Sequence, residues 1–211
     1  MLEQLLKFFV VFFVVVEPLS IVPVFSSLTT GASDRYRRRM AIKAITIATC
    51  IVIVFALAGA RFLDVMGISI EAFRIFGGLL LFLIALEMVF ARESGTRTTT
   101  DERVESRRRA DISVFPLAFP LISGPGALVT VLLWFGPVSI REDALMFAGL
   151  VLTAAVVLAI TLAMMLLANP IMRVLGVTGG NVANRLFGVV LGALAVQFVI
   201  DGVRTSFAVD G

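Results

Sequence analysis

The chain has 211 residues, of which 59% are hydrophobic and 16% charged, with a formal net charge of +3. A soluble domain of this length could not bury so much apolar surface, so the composition excludes a soluble globular protein and indicates a membrane protein. The chain contains no His and one cysteine, Cys50, which excludes imidazole ligands, cysteine metal clusters and a disulfide within the chain.

Six apolar segments are long enough to cross a bilayer as helices, which takes roughly 20 residues each. They predict transmembrane helices at residues 5–28, 42–63, 68–90, 112–135, 144–172 and 182–207. Basic residues crowd the first, third and fifth connections, and fewer lie on the opposite side. By the positive-inside rule, these connections are cytoplasmic and both termini lie outside. Because topology already explains the basic run at residues 107–109, no nucleic-acid binding is predicted.

The two halves of the chain repeat one another. Residues 74–80, Arg-Ile-Phe-Gly-Gly-Leu-Leu, match residues 185–191, Arg-Leu-Phe-Gly-Val-Val-Leu. Each half has three predicted helices, and an odd number of spans inverts the second half relative to the first. The predicted fold is therefore an all-α membrane protein with six transmembrane helices in an inverted 3+3 repeat.

The same repeat sets the predicted domain boundaries. The first three-helix repeat occupies residues 1–91, and the second occupies residues 112–211. Residues 92–111 are rich in Ser, Thr and charged side chains, which is typical of a solvated linker. The sequence thus predicts two repeats joined by a charged cytoplasmic linker.

Proline pairs interrupt the first and fourth helices, and they predict a break in each near the bilayer midplane. A proline removes a backbone donor and clashes with the preceding turn. A broken membrane helix exposes N–H groups at one half-helix terminus and C=O groups at the other, which suit a carboxylate and an ammonium group or cation. A single proline would be a mere kink, but paired prolines in both halves favour a substrate site. The predicted substrate-binding residues are Glu17, Pro18, Ser20, Pro23, Pro120, Ser123, Gly124, Pro125 and Gly126.

Further ionisable and polar residues in the spans are candidates for coupling or gating. Arg74 and Arg185 occupy equivalent places in the repeat, which favours structural pairing, as of Arg74 with Glu71, or gating over substrate contact. In a chain without His, proton coupling would need carboxylates such as Glu17 and Glu87.

Three other positions have plainer interpretations. Asn184 and Gln197 could line a path or bond a neighbouring helix. Asp201 is expected to pair with Arg204. The small residues at Gly188 and Gly192 favour close helix packing over ligand contact.

Four segments resemble the MarC family of bacterial and archaeal inner-membrane proteins, which includes the SnatA neutral amino acid transporters. The most specific is Pro-Leu-Ala-Phe-Pro-Leu-Ile-Ser-Gly-Pro-Gly-Ala-Leu at residues 116–128; the others are residues 17–25, 72–78 and 195–202. The resemblance spans nearly the whole chain and departs from the family at residues 20–21, Ser-Ile, where Gly-Asn is frequent. It implies a six-helix carrier or exporter of small neutral amino acids in the cytoplasmic (inner) membrane.

Together these observations predict a secondary transporter or exporter of small neutral amino acids that works by alternating access in a lipid bilayer. No cofactor or metal is expected. The coupling ion, a proton or sodium, the direction of transport and the oligomeric state stay open. The alternative is a non-transporting membrane scaffold or regulatory subunit, which needs no polar cavity at the breaks. An enzyme is not predicted, because the chain has no Ser-His, Cys-His or His-metal combination.

Overall fold

The computed structural model describes residues 1–90, 111–138 and 143–208, with the backbone alone at residues 173–184 and 208. In these ranges all regular structure is helical and there is no strand. The helices are α1 (Leu2–Val16), α2 (Pro18–Leu28), α3 (Asp34–Val65), α4 (Ile70–Phe90), the π-type helix α5 (Ser113–Ile122), α6 (Pro125–Phe135), α7 (Ala144–Leu166) and α8 (Ala168–Ala208). The predicted linker lies outside the described residues, apart from Asp111.

The helices are long and apolar enough for a multi-pass membrane protein. Five stretches could each cross a bilayer, and α1 with α2 forms one of them. The bent pair α5 and α6 makes a sixth when it is counted as one span. The all-helical, membrane-spanning class predicted from composition is therefore confirmed.

Local sequence signals fix several helix ends. Ser33 caps α3, because its hydroxyl accepts a hydrogen bond from Tyr36 N, and Asp143 caps α7 in the same way through Met146 N. Such caps satisfy donors that the first helical turn cannot use. Gly67 follows α3 with a φ of 67°, a left-handed conformation that glycine adopts at helix ends without a steric penalty.

The last two helices differ from the prediction. The fifth helix was expected to reach residue 172, but α7 ends at Leu166 and α8 begins at Ala168. Pro170 explains this position, since proline is tolerated in the first turn of a helix but not in its interior. The predicted connection at residues 173–181 lies within α8. Polar composition marks where a span leaves the membrane, and a helix can continue beyond that point.

The most extensive helix contacts join the two halves of the chain. Helix α4 packs along α8, α3 contacts α5, α6 and α7, and the α1–α2 span contacts α6, α7 and α8. Within the described part of the first half, the three spans make no extensive contact with one another. The packed interior is therefore built between the halves.

Glycines let α4 and α8 approach closely. A Cβ on Gly78 would lie 2.8 Å from the carbonyl oxygen of Ala195, and one on Gly188 would lie 3.0 Å from that of Ala85. Gly192 also faces Ala85, at a looser 3.5 Å. The close packing predicted at Gly188 is confirmed, whereas Gly192 lies against α4 with room for a Cβ.

An ion pair joins the halves at the end where α3 begins. Lys43 on α3 pairs with Asp111, and Asp111 Oδ1 accepts hydrogen bonds from the Ser113 hydroxyl and backbone N–H. The bond from Lys43, followed by those from Ser113, holds the pKa of Asp111 well below its ordinary value. At Tyr36, burial raises the pKa of the phenol, and the negative charge of Asp111 raises it further.

This ion pair predicts a pH-dependent loss of stability in Asp111→Asn. A carboxyl group whose pKa is lowered by folding stabilises the protein above its ordinary pKa of 3.8 and loses that contribution as pH falls toward the folded value. The pair is 44% exposed, so we expect Asp111→Asn to lower the free energy of unfolding by only about 1 kcal/mol at pH 7. Unfolding in detergent micelles at pH 7 and pH 3 measures this loss. The difference in the free energy of unfolding between Asp111→Asn and wild type should be smaller at pH 3. Asp64→Asn, which removes an exposed carboxylate at the far end of α3, is the control. A loss at Asp111 that did not change with pH would contradict this account.

Candidate functional site

The first span is broken at Glu17. Its φ of 50° is left-handed, which is uncommon for a residue other than glycine and places backbone strain here. The Glu17 N–H donates to Phe13 O, while the Glu17 carbonyl accepts from Ser20 N and Ile21 N, so one helix ends and the next begins at this residue. Pro18 is the first residue of α2, where its missing N–H costs nothing.

The fourth span is irregular over a longer stretch than predicted. In α5 the backbone bonds run from residue i+5 to residue i, as from Ser123 N to Ala118 O at 2.9 Å. Phe115 and Phe119 adopt extended angles inside it. Each precedes a proline, which disfavours helical angles in the residue before it. The Phe-Pro pairs therefore mark the irregular region from Phe115 onward, and α6 follows at a bend of 55°.

The two proline pairs differ in which proline begins the second half-helix. In the first span the second half-helix begins at Pro18, the first proline of its pair, whereas α6 begins at Pro125, the second of its pair. Pro23 lies inside α2 with an exposed ring, and Pro120 lies inside α5. The sequence match of Pro18 with Pro120 therefore locates a non-helical residue in each span, Glu17 and Phe119, but it does not locate the start of α6.

A cavity of about 230 Å³ adjoins the break in the fourth span. Its lining residues are Val15, Leu80, Ile84, Pro120, Leu121, Gly124, Pro125, Gly126 and Ala127. A Cβ on Gly126 would lie 2.9 Å from Val15 Cγ1, so the last turn of α1 lies against the first turn of α6. The two broken spans thus meet at one cavity.

Backbone donors lie at the cavity where α6 begins. Pro125 has no N–H, and the N–H groups of Gly126 and Ala127 lie in the first helical turn, which has no intrahelical acceptor for them. No side chain caps this helix. The helix dipole adds partial positive charge at the same end. With apolar walls elsewhere, the cavity suits a small solute that carries a negatively charged or hydrogen-bond-accepting group.

Four of the nine predicted substrate-binding residues line this cavity: Pro120, Gly124, Pro125 and Gly126. Ser123 is buried beside it, and its hydroxyl donates to Ala118 O at 2.7 Å, which satisfies a carbonyl inside the break. The first-half residues Glu17, Pro18, Ser20 and Pro23 lie outside the lining. Glu17 is nevertheless buried, with 9% of its surface exposed.

Comparison with known proteins identifies a family of integral membrane proteins. A model of the MarC family, described as "MarC family integral membrane protein", matches residues 2–207. The chain belongs to the MarC family.

Its relatives in this family are bacterial and archaeal. It is 36% identical over 197 residues to a "UPF0056 membrane protein" of Archaeoglobus fulgidus, covering 92% of this chain and 90% of that protein. It is 37% identical over 202 residues to one of Aquifex aeolicus (94% and 91% covered) and 32% identical over 202 residues to YhcE of Escherichia coli (95% and 92% covered). These names describe membrane proteins. No solved structure matches the chain.

The residues of this MarC family protein that were predicted to take part in coupling or gating differ in their exposure. Arg74 and Glu87 are half-buried, and Arg185 is exposed. The expected pair of Arg74 with Glu71 does not form among the described residues. The side chain of Asn184 lies outside the part of the chain that the structure describes.

The predicted pair of Asp201 with Arg204 is wrong. Asp201 instead accepts a hydrogen bond from Gln197 Nε2 at 2.8 Å, and the ion pairs of the described residues do not include Arg204. Gln197 lies four residues before Asp201, so both side chains share one helix face. Gln197 is therefore bound to its own helix in this structure.

Sequence reasoning missed the apolar wall of the cavity. Val15, Leu80, Ile84, Leu121 and Ala127 lie in apolar runs that look alike along the whole chain. Their role depends on which helices pack together. The prolines could point to the break, but no sequence signal could identify its partners.

Proposed function

We propose that this MarC family protein is a secondary transporter or exporter of small neutral amino acids that works by alternating access. The observation that carries the proposal is the cavity where two broken spans meet. A zwitterion would direct its carboxylate at the N–H groups of Gly126 and Ala127, as at other helix N-termini that bind anions. The cavity is smaller than the roughly 300–1,000 Å³ typical of pockets for drug-sized ligands, which favours a small substrate.

The pattern of helix contacts supports an inverted 3+3 repeat. In such a repeat α1–α2 is equivalent to α5–α6, α3 to α7, and α4 to α8. The contact of α1–α2 with α7 then matches the contact of α5–α6 with α3. In the same way, the contact of α4 with α6 matches the contact of α8 with α1–α2. Helices α3 with α7, and α4 with α8, are equivalent partners in the two halves. A two-fold axis in the membrane plane, with both breaks near the midplane, accounts for this reciprocity. The basic connections then face the cytoplasm and the termini lie outside the inner membrane.

The scaffold alternative accounts less well for the break. A scaffold or regulatory subunit could use the same helix contacts, but it has no use for a cavity beside uncapped backbone donors. Polar backbone at membrane depth is tolerated where it lines a cavity, which is the situation at Gly124–Ala127.

Exchange in proteoliposomes tests the proposal. Vesicles loaded with unlabelled alanine should take up labelled glycine, alanine or serine, because exchange reports either direction of transport. Empty vesicles and labelled glutamate are the controls. Saturable exchange of the neutral amino acids, with none of glutamate, supports the proposal. No exchange by protein that is folded and reconstituted would support the scaffold instead.

A pH series tests whether the intramembrane carboxylates couple transport to protons. Glu17 is buried and Glu87 half-buried within the spans of a chain that has no His. We expect Glu17→Gln or Glu87→Gln to flatten the pH dependence of uptake while the protein stays folded. Initial rates across pH 5–8, with and without a sodium gradient, measure this. Unchanged pH profiles in both variants would remove these carboxylates from the mechanism.

A further inference from the structure

Helix α3 extends beyond the apolar part of the membrane. Its 32 residues correspond to about 48 Å at 1.5 Å per residue, while a hydrocarbon core is about 30 Å thick. The apolar part predicted from sequence begins at residue 42. The first two turns of α3, which carry four arginines, therefore reach the level of the lipid headgroups.

Three of these arginines form one exposed surface, which we call the arginine face: Arg35, Arg38 and Arg39. Their spacing of i, i+3 and i+4 puts them on one side of the helix. Arg37 is different, because its guanidinium lies 5.9 Å from the centre of the Phe25 ring. Lys43 differs as well, since it is paired with Asp111.

The arginine face continues directly into the lipid-facing side of α3. Ile42, Ile53 and Leu57 have 43%, 41% and 56% of their surface exposed, and their helical positions fall on the same side as the three arginines. Positive charge at headgroup level thus stands at the end of an exposed apolar stripe. A phospholipid combines a headgroup and an acyl chain in this order.

Without a bound anion, the three positive charges of the arginine face are in an unfavourable position on α3. Like charges at i+3 and i+4 repel one another, and arginines near a helix N-terminus face the positive end of the helix dipole. The only acidic residue in the first turn is Asp34. Among the described residues, none of the three arginines forms an ion pair. A bound anion would offset this repulsion.

We infer that the arginine face binds the headgroup phosphate of an anionic phospholipid, whose acyl chain lies along Ile42, Ile53 and Leu57. Clusters of basic residues beside a transmembrane helix attract anionic lipids in this way. The apolar stripe favours a lipid over a free phosphate ion, which would contact the arginines alone.

Lipid retention by purified protein in detergent micelles tests the inference. Phosphatidylglycerol and phosphatidylcholine with identical acyl chains are added at equal mole fraction, and bound lipid is counted by native mass spectrometry. Wild type should retain phosphatidylglycerol preferentially. In Arg38→Gln/Arg39→Gln this preference should fall on the order of tenfold or more, because each basic residue near an anionic surface contributes a factor of about five.

A matched double variant and a soluble anion complete the test. Arg61→Gln/Arg204→Gln removes two exposed arginines away from the arginine face, one of them near the other end of α3, and should keep the preference. Equal loss in both double variants would show a net-charge effect and overturn the inference. It would also be overturned if inorganic phosphate raised the melting temperature as much as phosphatidylglycerol does. Neither outcome depends on amino acid transport.

Discussion

Leu80→Phe is expected to slow neutral amino acid exchange about tenfold with little change in melting temperature. Leu80 is half-buried on α4, and its side chain lines the cavity at the break. The larger ring would occupy space that a substrate needs. Overpacking typically costs about 1–3 kcal/mol, and here we expect that cost to weaken substrate binding. Exchange in proteoliposomes and thermal unfolding in detergent are measured side by side.

Leu79→Phe is the matched control for this substitution. Leu79 is the neighbouring residue on the same helix, and 52% of its surface is exposed, so the same change there points away from the cavity. Normal exchange by Leu80→Phe, or equal losses in the two variants, would contradict a substrate site at the break. Gly124 is a poorer place to fill the cavity, because a Cβ there would lie 2.2 Å from Pro120 O and would force the backbone to move.

Gly78→Ala should destabilise the protein by about 1–3 kcal/mol, as overpacking does in a close interface. Its Cβ would lie 2.8 Å from Ala195 O and 3.0 Å from Val199 N, so α4 and α8 would have to separate along their length. Gly188→Ala should act in the same direction, since its Cβ would meet Met88 Cβ at 2.8 Å. Thermal unfolding in detergent micelles measures both.

Gly192→Ala separates packing from helix propensity. Its Cβ would stand at an ordinary 3.5 Å from Ala85 Cβ, and alanine is favoured over glycine inside a helix by roughly 0.5–1 kcal/mol. This variant should therefore be as stable as wild type or more so. If it lost as much stability as Gly78→Ala, close packing of α4 on α8 would not be the reason.

The sequence was most informative where a single residue controls its own backbone. Proline predicts a break because it restricts its own angles and those of its neighbour, and Phe115 and Phe119 show this effect inside α5. Which proline of each pair begins a half-helix could not be predicted, because the answer depends on what packs against the break. Hydropathy located the spans for a similar reason, since transfer into lipid is a property of each segment alone.

Pairings across the chain were beyond sequence reasoning. Lys43 and Asp111 are 68 residues apart, and nothing in their neighbourhoods identifies them as partners. The sequence pairs Asp201 with Arg204, the nearest opposite charge, whereas in the structure Asp201 accepts a hydrogen bond from the carboxamide of Gln197. The cavity wall of Val15, Leu80 and Ile84 is likewise a result of assembly.

The interleaving of the two halves has a consequence for biosynthesis. Because the extensive contacts of α1–α2, α3 and α4 are all with helices of the second half, the first three spans enter the bilayer before the surfaces they pack against have been made. During translation these spans enter the lipid before their second-half partners exist, while the backbone bonds of Glu17 with Phe13, Ser20 and Ile21 lie within the first span and can already form. Insertion and assembly are then distinct steps, and the native state forms only after the last helix has left the ribosome.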